Sequence, residues 1–208
     1  MMANLSNPEL QKIDIDKISS NYIITKDKEG VFHHLRIERD MVKYKEIDLP
    51  KWSILNEYKT IDSMRCQKAT THYRGRDYVA YFTESIPIPE GPYKFKNLPG
   101  LVLEVYSTDG DYHFVLEGIK KADNKIENPP SLLLKNRVRY LEEVKKFAEN
   151  PSYKYQQADL SNGDFKYTTT INGKVVSDTE KYKLFNEFVW KFMKIHNNPI
   201  EKDDIWIR

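Results

Sequence analysis

The stretch that most constrains this chain is Ser85 to Gly100, where Pro87, Pro89, Pro92 and Pro99 alternate with Ile86, Ile88, Tyr93, Phe95 and Leu98. Proline gives no amide hydrogen to a ladder and fixes its own φ, so the stretch cannot be a central strand. It is also too apolar for a solvated linker, and a connection longer than about 12 residues inside a compact domain is ordinarily a structured loop, often a functional one. The expectation is a lid packed across a sheet.

The flanking sequence supplies that sheet. Tyr22 to Lys26, Val31 to Glu38 and Met41 to Glu46 are short runs broken by turn residues, and they predict a meander. Trp52 to Ile61 and Met64 to Tyr73 alternate around Asp62-Ser63, and Arg74-Gly75 turns the chain into Arg76 to Glu84. In that last run Tyr78, Ala80 and Phe82 face one way and Val79 and Tyr81 the other, so both faces need cover. Beyond the lid, Leu101 to Thr108 and Tyr112 to Lys120 flank Asp109-Gly110, the strongest hairpin signal in the chain.

The tail changes period. Leu134, Val138, Leu141, Val144 and Ala148 recur at helical spacing up to Asn150-Pro151. Phe165 to Thr170 and Lys174 to Val176 flank an Asn172-Gly173 turn. Ser177 and Glu180 then have capping-box spacing ahead of the apolar stripe Leu184, Phe185, Phe188, Val189, Phe192 and Ile195. The fold class expected is α+β. A curved antiparallel sheet of about six to eight strands, conceivably a half-barrel, carries the lid and the C-terminal amphipathic helices as one domain over residues 1–208.

Charge narrows the partners. Lys plus Arg number 33 against 31 Asp plus Glu, interspersed along the chain, so nucleic acid is not an expected partner. No apolar run approaches the roughly 20 residues of a transmembrane helix, and no transmembrane segment is expected. The opening Met1-Met2-Ala3-Asn4-Leu5-Ser6-Asn7-Pro8 shows no export signal, which read literally places the chain in the cytoplasm. Cys66 is the single cysteine and has no intrachain partner for a disulfide.

Several motifs resemble those of a known family in order and spacing. They are Cys66-Gln67-Lys68-Ala69, Arg74-Gly75-Arg76, Tyr78, Phe82-Thr83, Ile86-Pro87-Ile88, Gly91-Pro92-Tyr93-Lys94-Phe95, Asn97-Leu98-Pro99-Gly100-Leu101-Val102 and Asn198-Pro199-Ile200-Glu201. Together they resemble the GLPGLI family of Gram-negative cell-envelope proteins. Asn97 stands where that motif has Gly, and Asn tolerates the left-handed conformation next best; Val102 stands for Ile. The resemblance implies export to the periplasm or outer-membrane surface and brings no established catalytic residues. This chain begins near the middle of the family's pattern, as a chain lacking the N-terminal signal and first strands would. Loss of those strands would leave an unpaired sheet edge near Tyr22 to Lys26.

Candidate site residues are few. Arg74 and Arg76 flank a turn and carry planar donor forks suited to a carboxylate or phosphate. Tyr93, Phe95, Leu98 and Leu101 are candidates to line an apolar groove under the lid, although such aromatics are more often core. Asn97 to Val102 read as structural: Pro99 fixes the entry to a buried strand and Gly100 permits the turn.

Met64, Cys66 and His72 have the chemistry of a soft-metal site, but a strand separates His72 from Cys66 by about 20 Å, which leaves Met64 and Cys66 as neighbours. His33 and His34 point to opposite faces of a strand and cannot both hold one ion there. Asp77, Glu84, Glu104 and Glu117 are scattered acids without a nucleophile motif. The expected role is a non-enzymatic envelope module that binds a protein partner or an apolar ligand, with no cofactor. Copper or zinc handling through Cys66 and hydrolysis are the alternatives.

Overall fold

The computed structural model describes residues 22–37, 40–121, 127–161, 169–171 and 173–204. Its architecture is α+β, with antiparallel sheets and helices and no closed barrel. The predicted single curved sheet is instead two main sheets. One has the order β1 (Tyr22–Asp27), β2 (Gly30–Ile37), β3 (Asp40–Glu46) and β9 (Leu132–Leu133), in which β9 runs parallel to β3. The other has the order β4 (Ser53–Ile61), β5 (Met64–Tyr73), β6 (Arg76–Thr83), β7 (Leu101–Ser107) and β8 (His113–Val115). The segment Ile47 to Trp52, which contains Pro50, carries the chain from the first sheet to the second.

Turn chemistry explains the hairpins. Asp62 and Ser63 both have positive φ, as do Arg74 and Gly75, which is the backbone of the two-residue turns that match strand twist. The Asp109-Gly110 connection is wider than a two-residue turn. Ser107 N–H donates to Tyr112 O and Gly110 N–H to Ser107 O, and the strand that follows ends at Val115 rather than Lys120.

Helix α1 (Arg137–Glu149) starts at the cap Asn136, whose side chain accepts from the Arg139 amide, and ends at Asn150 as the sequence predicts. Its buried face is Tyr140, Val144 and Ala148, which packs on β2 and β3; Val138, expected on that face, is exposed. Helix α2 (Tyr153–Ser161) has no buried residue and so left no apolar period to read. Helix α3 (Asp178–Ile195) has the expected Ser177 cap, but its apolar stripe stays largely open: Met193 is buried, while Leu184, Phe188 and Ile195 are exposed. A small hairpin pairs β10 (Thr169–Ile171) with β11 (Lys174–Val176). The N-terminal Met1 to Pro8, Glu38 and Arg39, Phe165 to Thr168 and the turn residue Asn172 lie outside the described residues.

The proline-rich stretch is an ordered loop that knits itself to the sheet. Leu101 N–H donates to Ile86 O and Val102 N–H to Glu90 O, while Phe95 and Asn97 donate back to Pro92 and Pro89. Phe95 and Leu98 enter the core of the five-stranded sheet beside Tyr78, Phe82 and Val105. Tyr93 and Lys94 turn instead toward the four-stranded sheet, Tyr93 meeting the Tyr22 ring edge-on and Lys94 reaching Tyr44 and Glu46. Three consecutive residues thus join the two sheets. Gly100 is required by space: a Cβ there would lie 1.9 Å from the Thr83 carbonyl oxygen.

Candidate functional site

The sheets meet at a buried ionic junction. Lys94, wholly buried, donates from Nζ to Glu201 at 2.5 Å, Glu46 at 2.7 Å and the Tyr44 hydroxyl at 3.0 Å. Arg74 reaches Glu46 at 3.1 Å and also pairs with Asp48 and Asp203. Arg137, on α1, spans Glu201 at 3.0 Å and Asp203 at 2.9 Å. Tyr93 and Tyr73 donate hydroxyls to Glu201 and Glu46. Burial alone would push the Glu201 carboxyl up, but Lys94 and His33 nearby, with hydrogen bonds from Lys94 and Tyr93, hold it down at about 2. The Glu46 carboxyl is likewise lowered: burial opposes, and Lys94 and Arg74 outweigh it.

His33 sits at the edge of this junction among the rings of Tyr22, Tyr44 and Tyr140. Burial, reinforced by the Lys94 charge, pushes its imidazole well below the ordinary histidine range. Its Nε2 finds no hydrogen-bond partner among the described residues. His34, next in the strand, sits apart between Thr25 and Ser131, as opposite strand faces require.

The C-terminal segment Asn198 to Asp204 is gripped along its length. Arg76, 2% exposed, donates to the Asn198 side chain and the Pro199 carbonyl and pairs with Asp109 and Asp111. Tyr78 donates to Ile200 O at 2.9 Å, and Lys202 N–H donates to Arg74 O at 2.8 Å. The Ile200 side chain is buried in the core of the five-stranded sheet. Both arginines expected to face an external anion therefore hold carboxylates of this chain instead. The reason is a set of acids distant in sequence, Glu46, Asp48, Asp109 and Asp111 together with Asp203 in the strap formed by residues 198–204, which no local pattern around Arg74-Gly75-Arg76 reveals.

The predicted apolar groove is also relocated. Phe95 and Leu98 are core, and Tyr93 packs against that core with its hydroxyl spent on Glu201. Leu101 alone of the four lines an open cleft of about 590 Å³, between Glu90-Gly91-Pro92 and the β7 and β8 strands. Its floor and walls include Val102, Leu103, Phe114, Val115 and Leu116, with Glu90, His113 and Glu117 also contributing polar groups. Among the described residues β8 pairs with β7 alone, so its other edge has no strand neighbour. The sequence signal that could have found this cleft is the run Phe114-Val115-Leu116, which puts apolar residues on both faces of a strand.

The remaining candidates stay apart. Cys66 is buried, its thiol raised chiefly by burial and donating toward Met64 O at 3.5 Å. Among the described residues no group of three or more His, Cys, Asp or Glu is placed to hold a metal ion. Asp77 pairs with exposed His72 on the hairpin, and Glu104 pairs with Lys59 and His113. Glu84 is exposed at the end of β6, and exposed Glu117 lies at the cleft. No described helix is long and apolar enough to cross a membrane.

With this geometry in place, the chain is an α+β protein, and residues 74–104 match a family described as a protein of unknown function (Porph_ging). That match runs from the Arg74 turn through the proline-rich loop into β7. No curated protein matches the chain. Among solved structures the chain is similar to one titled "Structure of PNGF-II in C2 space group", at 15% identity and a TM-score of 0.38. That similarity covers 56% of this chain and 23% of the other, and it is too remote to speak to function.

Proposed function

We propose that this protein is a non-catalytic binding module of the cell envelope that takes an extended, apolar segment of a partner polypeptide along β8. The observation that carries this reading is the apolar cleft of about 590 Å³ beside the strand edge of β8. An edge offers backbone donors and acceptors to an added strand, and pockets beside it select side chains. The ionisable groups at the sheet junction are engaged with one another, which favours scaffold over chemistry there. We further propose that the chain is a divergent member of the GLPGLI family. The motifs from Cys66 to Val102 and Asn198 to Glu201 support that assignment and, with it, the envelope location.

The test is native mass spectrometry of the full-length protein purified from its own envelope, comparing wild type with Val115→Asp. Val115 is 55% exposed, so the substitution leaves the core intact while placing a charge in the cleft. A co-purifying polypeptide lost in the variant, with thermal stability unchanged, is expected. A bound lipid lost in the same way would replace the polypeptide with an apolar small ligand. Stoichiometric copper or zinc that disappears in Cys66→Ala would instead favour metal handling.

A further inference from the structure

The strap Asn198 to Asp204 contacts the sheets as a bound peptide contacts a receptor. Its backbone carbonyls at Asn198, Pro199 and Ile200 accept from Tyr112, Arg76 and Tyr78, and its Lys202 amide donates to the Arg74 carbonyl. Its side chains are read in turn: Asn198 by Arg76, Ile200 by an apolar pocket, Glu201 by Lys94, Tyr93 and Arg137, and Asp203 by Arg74 and Arg137. Main-chain bonds for affinity and pockets for particular side chains define a peptide-recognition groove. Charge agrees, because three cations of the groove, Lys94, Arg74 and Arg137, face two of the strap's three acids, Glu201 and Asp203.

We propose that this groove is a peptide-binding site that accepts the segment Asn198 to Asp204 from a second copy of the chain as well as from its own. The polar partners of the groove lie between residues 74 and 137, its apolar pocket adds Ala69 and Tyr73, and the occupant reaches it from α3 through the exposed Asn197. Held in cis, the segment has the advantage of a short tether, equivalent to roughly millimolar ligand. A strap from another copy competes once that tether is cut or the protein is concentrated.

The experiment inserts a site-specific protease sequence between Asn197 and Asn198 of the full-length chain and cuts it after folding. Native mass spectrometry then follows retention of the released piece and its exchange with a mass-labelled synthetic peptide of residues 198–208. Circular dichroism and melting monitor the body. The cut body is expected to stay folded, keep the piece and exchange it for the labelled peptide. A peptide carrying Glu201→Ala should compete at least about thirtyfold less well, because it leaves Lys94 with Glu46 alone and Arg137 with the half-exposed Asp203 alone. The proposal is overturned if the inserted or cut chain fails to keep its sheets. It is equally overturned if the folded body releases the piece without taking up the labelled peptide, or if the Glu201→Ala peptide competes as well as the original.

Discussion

Lys94 and Glu201, 107 positions apart in the chain, meet with Nζ 2.5 Å from a carboxylate oxygen. The same ammonium holds Glu46 on the opposite side, so one buried cation ties the loop, the four-stranded sheet and the strap together. Removing one member of such a cluster is costly because the charges left behind stay buried.

Lys94→Met keeps most of the stem's volume and deletes the charge. It should destabilise the protein by about 3–5 kcal/mol, the range for breaking a buried pair from one side. Denaturant unfolding of both proteins measures this. A loss below about 1 kcal/mol would mean that Arg74 and Arg137 alone satisfy both carboxylates.

Gly100→Ala should destabilise by about 3 kcal/mol, since the added Cβ would sit against backbone of Thr83 that cannot move without breaking β6 from β7. Gly118→Ala is the matched control. A Cβ there meets nothing within 4 Å, and a change within about 0.5 kcal/mol is expected. Thermal melting of the pair separates space at Gly100 from a general effect of replacing glycine.

Asn97 has φ of 70°, in the left-handed region, and its side chain is exposed. Asn97→Gly should be neutral or mildly stabilising, whereas Asn97→Val should cost about 1–2 kcal/mol from backbone strain. Equal melting temperatures for the two variants would show that the loop readily adopts another backbone.

Acid should weaken the fold in two stages. His33 is depressed in the folded state, so the unfolded chain binds a proton first, and stability falls as pH drops below about 6.5, by up to about 1.4 kcal/mol per pH unit. Glu201 is also depressed, so its contribution is complete above the unfolded value near 4.3 and is lost as pH falls toward about 2. His33→Phe keeps a ring among Tyr22, Tyr44 and Tyr140 while removing the upper stage. Urea denaturation between pH 4 and pH 8 checks this; an unchanged slope in the variant would assign the upper stage to another group such as His34, which is also lowered.

Local rules made most of the architecture readable. Alternation located the strands, paired turn residues located the hairpins, and Ser177 and Asn150 marked helix ends that the structure keeps. The division into two sheets was not readable, because strand pattern says which faces are apolar and not which neighbour covers them. The same limit hid the site. Arg74 and Arg76 looked like donors awaiting an anion because their acids lie far along the chain, at Glu46, Asp109, Asp111 and Asp203. Lys94 stood out only as part of the Gly91-to-Phe95 motif and gave no sign of burial, since a lysine in a proline-rich loop ordinarily points to water.

The strap also sets when the sheet junction can close. Synthesis runs from the N-terminus, so Glu201 leaves the ribosome 107 positions after the Lys94 that it neutralises. Until then the loop would have to bury an ammonium with Glu46 as its one carboxylate. Closure of the sheet junction therefore waits for the strap, and a product terminated before Glu201 carries an open junction that quality-control proteases can recognise.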